Sequence, residues 1–362
     1  MKILHVVGAR PNFMKVAPVM RALARRPGEF EQILVHTGQH YDAAMSAVFF
    51  RDLGLPEPDH NLGVGSASHA VQTAAVMQAF EPLLARYQPA WVIVPGDVNS
   101  TLACALTAAK LGYRVAHLEA GLRSFDRSMP EELNRVLTDH LADLLFTTEA
   151  SANANLAREG LAADRVRFVG NTMIDSLVAL RPRAEAAWPA LQAALGAGPY
   201  IAVTLHRPAN VDSEPALRAL FAALEAVSRQ VRVVFPVHPR TRQRLAQLGL
   251  TADPARLSLI EPLGYIDFLA LETHAALVLT DSGGVQEETT YLGVPCLTLR
   301  PNTERPVTVT SGTNRLVWPA ADQLPGALAA ALQQPHPPRP APPLWDGRAA
   351  ERIAASLHTW QP

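Results

Sequence analysis

The stretch Ile3-Leu4-His5-Val6-Val7-Gly8-Ala9-Arg10-Pro11-Asn12-Phe13-Met14-Lys15-Val16 decides the fold. Its first five residues form a short, mostly apolar run that stops at Gly8. Such a run reads as a strand buried on both faces, the habit of parallel sheets. Pro11 then opens a helical pattern carried on by Val16, Val19, Met20 and Leu23. Proline's fixed φ and missing N–H suit a first helical turn. A strand that passes through a short loop into a helix is the repeating unit of a doubly wound sheet.

Outward from that unit the same rhythm recurs. The sequence predicts strands over 32–36, 91–94, 114–118, 144–147 and 166–169, with helices over 70–86, 101–111, 131–141 and 151–159. Residues 181–198, rich in Ala, Pro and Gly, read as a helix end and a linker. The alternation then restarts with strands over 200–205, 231–237, 257–260, 277–280 and 295–299. The expected architecture is α/β, with two Rossmann-like doubly wound domains over 1–180 and 199–346 facing across a cleft. Residues 334–343 are too rich in proline for a helix interior. A short amphipathic tail follows over 347–360.

The 362 residues suit two such domains, at roughly 150 residues each. Hydrophobic residues make up 48% and charged residues 18%, which is a globular composition. A net charge of −1 supplies no basic field for nucleic acid or an anionic membrane. Two distant cysteines, Cys104 and Cys296, exclude a disulfide framework and a CxxC metal site. No apolar run approaches the roughly 18 residues of a membrane span. The N-terminal apolar run is too brief for a signal-peptide core, so the expectation is a soluble cytoplasmic protein. Only three of the 32 basic residues are lysines (Lys2, Lys15 and Lys110), so each one invites a reason for not being arginine.

Polar residues gather just after predicted strands. Thr280-Asp281-Ser282-Gly283-Gly284 ends an apolar strand and opens a helix. Backbone N–H groups at a positive helix end make a site for phosphate. The plainer alternative is a turn capped by Ser282 or Asp281. Glu288, one turn inside that helix, stands where a ribose hydroxyl could be met. Arg10 and Lys15 follow the first strand and Arg305 a later one; together the three cations suit a diphosphate. No Asp-x-Asp triplet offers a metal to that diphosphate, and no GxGxxG run points to a nicotinamide cofactor. Neither metal nor cofactor is therefore expected.

Asp97 and Glu119 end neighbouring buried strands, where a carboxylate without a task is costly. Glu131 and Glu132 follow Pro130, in a helix first turn that favours acidic residues in any case. His206 ends a strand of the second domain, His117 reads as a packing histidine inside a strand, and the PVHP histidine, His238, fits either role. Carboxylates on different loops could take a proton from one face of a sugar carbon and return it to the other. Departure of a nucleoside diphosphate would acidify that carbon, so groups stabilising the leaving diphosphate would be catalytic too.

The runs GARPNFMKVAPV, TGQHYD, PGDVNSTLA, HLEAGLRSFDRSMPEELNR, GNTMIDSL, TLHRPANVD, PVHPRTR, TDSGGVQEE and TERPVTVTSGT follow in order from residue 8 to about 313. In these the chain resembles the non-hydrolysing UDP-N-acetylglucosamine 2-epimerases. The resemblance implies a GT-B architecture, a tail over 347–362 that packs back on the first domain, and a homodimer. It implies interconversion of UDP-GlcNAc and UDP-ManNAc by elimination of UDP to 2-acetamidoglucal and re-addition after C2 proton exchange. Asp97, Glu119, Glu131 and His206 match the acid/base group, without dividing the faces of C2 among them. Arg10, Lys15, Ser282, Gly283, Gly284 and Arg305 match the diphosphate site, Glu288 the ribose carboxylate, and Leu263 and Phe268 the uracil pocket. A regulatory second UDP-sugar site, carried by some members, would fall on Gln39, His40, Arg207 and His238. Tyr41 and Asp42 stand where many members have Arg and Glu or Gln. The TGQHYD and RSMPEELNR runs also resemble relatives acting on UDP-diacetamido-uronates, the runner-up substrate. A GT-B glycosyltransferase and a nucleotide-sugar sensor are the readings from other classes.

Overall fold

In the computed structural model of the chain, residues 1–38, 50–318, 320–333 and 339–360 are described, the side chains of residues 10 and 320–322 excepted. The chain divides into one unit of residues 1–179 and 343–362 and another of residues 180–342.

The first unit is built on strands β1 (Lys2–Val7), β2 (Glu31–His36), β3 (His60–Asn61), β4 (Trp91–Pro95), β5 (Val115–Ala120), β6 (Leu144–Thr147) and β7 (Val166–Phe168). They form a parallel sheet in the order β3-β2-β1-β4-β5-β6-β7. The second unit has β8 (Tyr200–Thr204), β9 (Arg232–Pro236), β10 (Leu257–Ile260), β11 (Leu277–Thr280), β12 (Cys296–Thr298) and β13 (Asn314–Leu316), in the order β10-β9-β8-β11-β12-β13. All of its pairings are parallel too. The central strands are apolar on both faces because helices cover both. Leu4, Val6, Val92 and Val94 pack with Phe80 and Leu84 in one core. Ile201, Val203, Leu277 and Leu279 pack with Phe221 and Leu224 in the other.

Strand order reverses between β1 and β4 in the first unit and between β8 and β11 in the second. In open α/β sheets, ligands bind outside the carboxyl ends of the strands at that switch point. Gly8 and Gly96 follow the switch strands of the first unit; His206 and Asp281 follow those of the second.

The structure corrects one sequence expectation. Residues 181–198 are no linker as far as Leu195, since one helix runs Thr172–Leu195 with Pro182 and Pro189 inside it. Its alanines favour helix. Trp188, Leu191 and Leu195 pack on the cluster of Tyr200, Val285 and Val294, and that burial outweighs the two prolines. The tail helix Ala349–Thr359 is part of the first unit. Asp175 accepts the Ala349 and Ala350 N–H groups at 3.1 and 2.7 Å, capping that helix, and the Trp345 indole donates to the Thr148 carbonyl at 2.9 Å.

Candidate active site

In the first unit the loop after β1 is held by its own helix. Asn12 Oδ1 accepts the Gly8 and Ala9 N–H groups at 3.1 and 3.0 Å, and its amide donates to the Pro95 carbonyl at the end of β4 at 3.3 Å. The two switch-point loops are thereby tied together. Arg10 opens the helix Arg10–Ala24, and Lys15 lies one turn further in. Lys15 is buried, and its ammonium is ion-paired to Glu119 Oε2. The sequence reading gave Lys15 a phosphate; the structure gives it a carboxylate first. An ammonium has three donors, so one contact leaves two.

Glu119 reaches Lys15 because its backbone is unusual. Its φ is +72°, in the left-handed region that only glycine adopts freely, and the β5–β6 register shifts between Leu118 and Ala120. Gly96 is tight against the same pair. A Cβ there would lie 2.9 Å from Lys15 Nζ and 3.6 Å from Glu119 Oε2.

Asp97, next in the chain, is partly exposed, and its Oδ2 is 2.5 Å from Arg135 Nη2. Arg135 also donates to Glu132 Oε2 at 2.9 Å. Glu132 accepts in turn from Ser124 N, Ser124 Oγ and Phe125 N, each at 2.9 Å. It fixes the loop before the helix Pro130–Leu141. Sequence reasoning chose Glu131 from this first turn and passed over Glu132. Glu131 is half-buried, with no hydrogen bond or ion pair among the described residues, and so keeps its full acceptor capacity.

In the second unit the strand-end histidine has an orienting partner. Asp281, fully buried, lies 3.0 Å from His206 Nδ1. It also accepts from His206 N at 3.1 Å, Arg207 N at 2.9 Å and Asn210 Nδ2 at 2.9 Å. Burial alone would push the Asp281 carboxyl up, but His206 and these donors outweigh it and hold it below the usual carboxylate range. A carboxylate at Nδ1 fixes the proton there and leaves Nε2 of an exposed ring to exchange protons. The sequence reading named Asp281 only as a turn cap. No sequence signal links it to His206, 75 residues away.

Ser282 is the N-cap of the helix Gly283–Leu292, with no side-chain cap bond. A Cβ on Gly283 would lie 2.4 Å from Arg305 Nη1, so glycine lets the guanidinium reach the helix terminus. Gly284 is the next helical residue. Arg305 is paired with Glu304, while its Nε lies 2.9 Å from Glu287 Oε1. The third expected phosphate cation thus already balances two buried carboxylates. Glu288 is buried and accepts from the Tyr265 hydroxyl at 2.7 Å. Burial pushes its carboxyl up to about 7, against the pull of that hydrogen bond. Leu263 and Phe268 flank a buried cluster containing Val285 and Val294.

Of the residues suggested for regulation, Gln39 and His40 lie outside the described residues. Arg207 Nε donates to the Asp281 carbonyl at 3.0 Å. His238 caps the helix Pro239–Gln247, accepting from Arg240 N at 3.3 Å.

Comparison with known proteins follows the same line. A family model described as UDP-N-acetylglucosamine 2-epimerase matches residues 21–358. The UDP-N-acetylglucosamine 2-epimerase of Methanocaldococcus jannaschii is 40% identical over 99% of both chains. The UDP-2,3-diacetamido-2,3-dideoxy-D-glucuronate 2-epimerase of Pseudomonas aeruginosa is 42% identical over 90% of each. The crystal structure of the M. jannaschii UDP-GlcNAc 2-epimerase in complex with UDP-GlcNAc and UDP matches with a TM-score of 0.90, at 40% identity and 99% coverage of each chain.

Proposed function

Because the chain belongs to the UDP-N-acetylglucosamine 2-epimerase family, we propose that it interconverts UDP-GlcNAc and UDP-ManNAc. Its two parallel-sheet units are of the GT-B kind, as the resemblance implied. The observation that carries the reading is the pair of strand-end carboxylates, each held by a buried cation: Asp97 by Arg135 and Glu119 by Lys15.

The chemistry is an elimination and its reverse. A base takes the C2 proton, the C1–O bond breaks, UDP leaves with the bonding pair, and a C1=C2 double bond remains in 2-acetamidoglucal. UDP then re-adds at C1 while C2 takes a proton on the other face. Asp97, Glu119, Glu131 and His206 form the acid/base set, and the Asp281–His206 pair supports the role of the imidazole. The helix terminus at Ser282, Gly283 and Gly284, with Arg10, Lys15 and Arg305, takes the diphosphate charge as UDP departs. Glu288 receives the ribose hydroxyls, and Leu263 and Phe268 wall the uracil.

A UDP-diacetamido-uronate is the second substrate reading, supported by the Pseudomonas relative. NMR of the products from each UDP-sugar alone in D₂O tests both. Deuterium at C2 with inversion of UDP-GlcNAc is expected, and Asp97→Asn or Glu119→Gln abolishes it while UDP still binds. Binding without deuterium uptake would leave a sensor; turnover only with an acceptor would leave a glycosyltransferase.

No helix among the described residues is long and apolar enough to cross a membrane. A cytoplasmic site of action fits that, together with two free, buried cysteines. A homodimer fits the helix Pro130–Leu141, which buries Glu132, Asn134 and Asp139 yet exposes Leu133 and Leu137. A monomeric sedimentation mass would refute it.

A further inference from the structure

We propose that His117 is a positioning residue: an imidazolium protonated at both ring nitrogens, it sets the aim of Asp97 and Glu119. The proposal rests on the acid/base role given to those two carboxylates above. His117 lies in β5, fully buried, two residues before Glu119. Its Nε2 is 2.7 Å from the Gly96 carbonyl, immediately before Asp97. A carbonyl oxygen only accepts, so this nitrogen carries a proton. Its Nδ1 is 2.7 Å from Asp139 Oδ1.

Asp139 is the ionised partner. Its other oxygen accepts the Gly121 N–H at 3.0 Å and lies 2.7 Å from Arg123 Nη1. With a guanidinium and a backbone N–H both directed at that oxygen, the carboxyl is held in its ionised form without any help from the ring. An ionised carboxylate only accepts, so Nδ1 carries a proton as well. Arg123 continues the chain, donating to Glu159 through Nε at 2.8 Å and Nη2 at 2.7 Å. Two cations and two anions alternate, which makes an internal imidazolium tolerable where an isolated one would not be.

The network grips the backbone on both sides of the carboxylates. Gly96, with φ +64°, donates its N–H to Leu118 O at 3.0 Å and gives its carbonyl to His117. Gly121, with φ +79° and two residues beyond Glu119, gives its N–H to Asp139. Between them Glu119 keeps its left-handed φ. A neutral ring could donate to the Gly96 carbonyl or to Asp139, but not to both.

Two measurements test this. In ¹⁵N-histidine-labelled protein at pH 7.5, both His117 ring nitrogens, assigned by their loss in His117→Gln, should show the shifts of protonated nitrogens. A bare imine nitrogen on this ring would overturn the proposal. In folded His117→Leu, kcat should fall about 100-fold, the cost of a misplacement near 1 Å, with UDP affinity unchanged. His117→Gln, which keeps one donor for the Gly96 carbonyl, should recover about tenfold of that loss. Wild-type kcat in His117→Leu would overturn the proposal, as would a loss of kcat and UDP affinity in step with the melting temperature. Absence of epimerase turnover in the wild-type protein would remove the functional reading while the nitrogen shifts still report the protonation.

Discussion

Glu288→Gln isolates what the carboxyl proposed to hold the ribose costs the fold. Glu288 is buried, and among the described residues its hydrogen-bond donor is the Tyr265 hydroxyl. Burial moves its carboxyl from 4.5 to about 7, which corresponds to about 3 kcal/mol against the charged form. Folded chains therefore hold this proton more tightly than unfolded ones. Between pH 4.5 and 7 the folded state binds more protons, so stability falls as pH rises through that window and levels off above it. Glutamine still accepts from Tyr265 but carries no charge. Wild type should thus lose about 3 kcal/mol between pH 4.5 and 8 from this site, and the variant should not. Glu272 deepens the contrast. Burial, then the Glu288 charge, pushes its carboxyl well up, and Glu288→Gln removes the second cause. Urea unfolding of both proteins at pH 5 and pH 8, without ligand, reads the difference. Trp188, stacked on His274 with ring centroids 4.2 Å apart, supplies the fluorescence signal within the second unit. An equal stability difference between wild type and variant at both pH values would refute the reasoning. The same substitution should weaken UDP binding, because the group that is costly to bury is the one proposed to hold the ribose.

Two further outcomes follow from the ion pairs. Lys15→Met leaves Glu119 buried without its ammonium and should destabilise the first unit by about 3–5 kcal/mol; adding Glu119→Gln should restore most of it, and an uncoupled double variant in thermal melts would break the pairing. Asp281→Asn replaces an acceptor of four donors with a group that can accept at one oxygen only, so kcat should fall on the order of 100-fold with UDP affinity retained. Wild-type turnover in that variant would sink the orienting role. Since the Asp281 carboxyl is held low in the fold, its contribution to stability is present above pH 3.8 and is lost as pH falls below it.

Strands were legible where apolar runs met glycine, as at Ile3–Val7 before Gly8 and Trp91–Pro95 before Gly96. Those two runs alone place the first unit's switch point. β3 and β13, with two and three residues, are too short to carry a period. The Thr172–Leu195 helix was hidden by Pro182 and Pro189, because local breaking signals are strong while the burial of Trp188 that overrides them is tertiary. The site was legible residue by residue but not in its pairings. Lys15 and Glu119 were each singled out, yet they are 104 positions apart and no local pattern couples them. Asp281 and His117, whose partners lie 75 and 22 positions away, were passed over for the same reason, and Glu132 because its partners lie outside its own first turn. Each acts on a group from another element, and each resembled a cap, a first-turn acid or a packing residue.

What unites the site residues is that they sit where the fold does not favour them. Glu119 holds a left-handed φ that costs on the order of 1–3 kcal/mol outside glycine. Glu288 sits buried at a carboxyl value near 7, and Arg305 occupies a helix terminus only because residue 283 has no side chain. Packing alone would replace each with an apolar residue, or with glycine at 119. The core strands show no such conflict; their apolar residues are buried against apolar neighbours. A role in binding or proton transfer explains why the conflicts persist at the carboxyl ends of the strands, and it sets an expectation. Substitutions that relieve them, Glu288→Gln first, should stabilise the fold at neutral pH while impairing turnover or UDP binding.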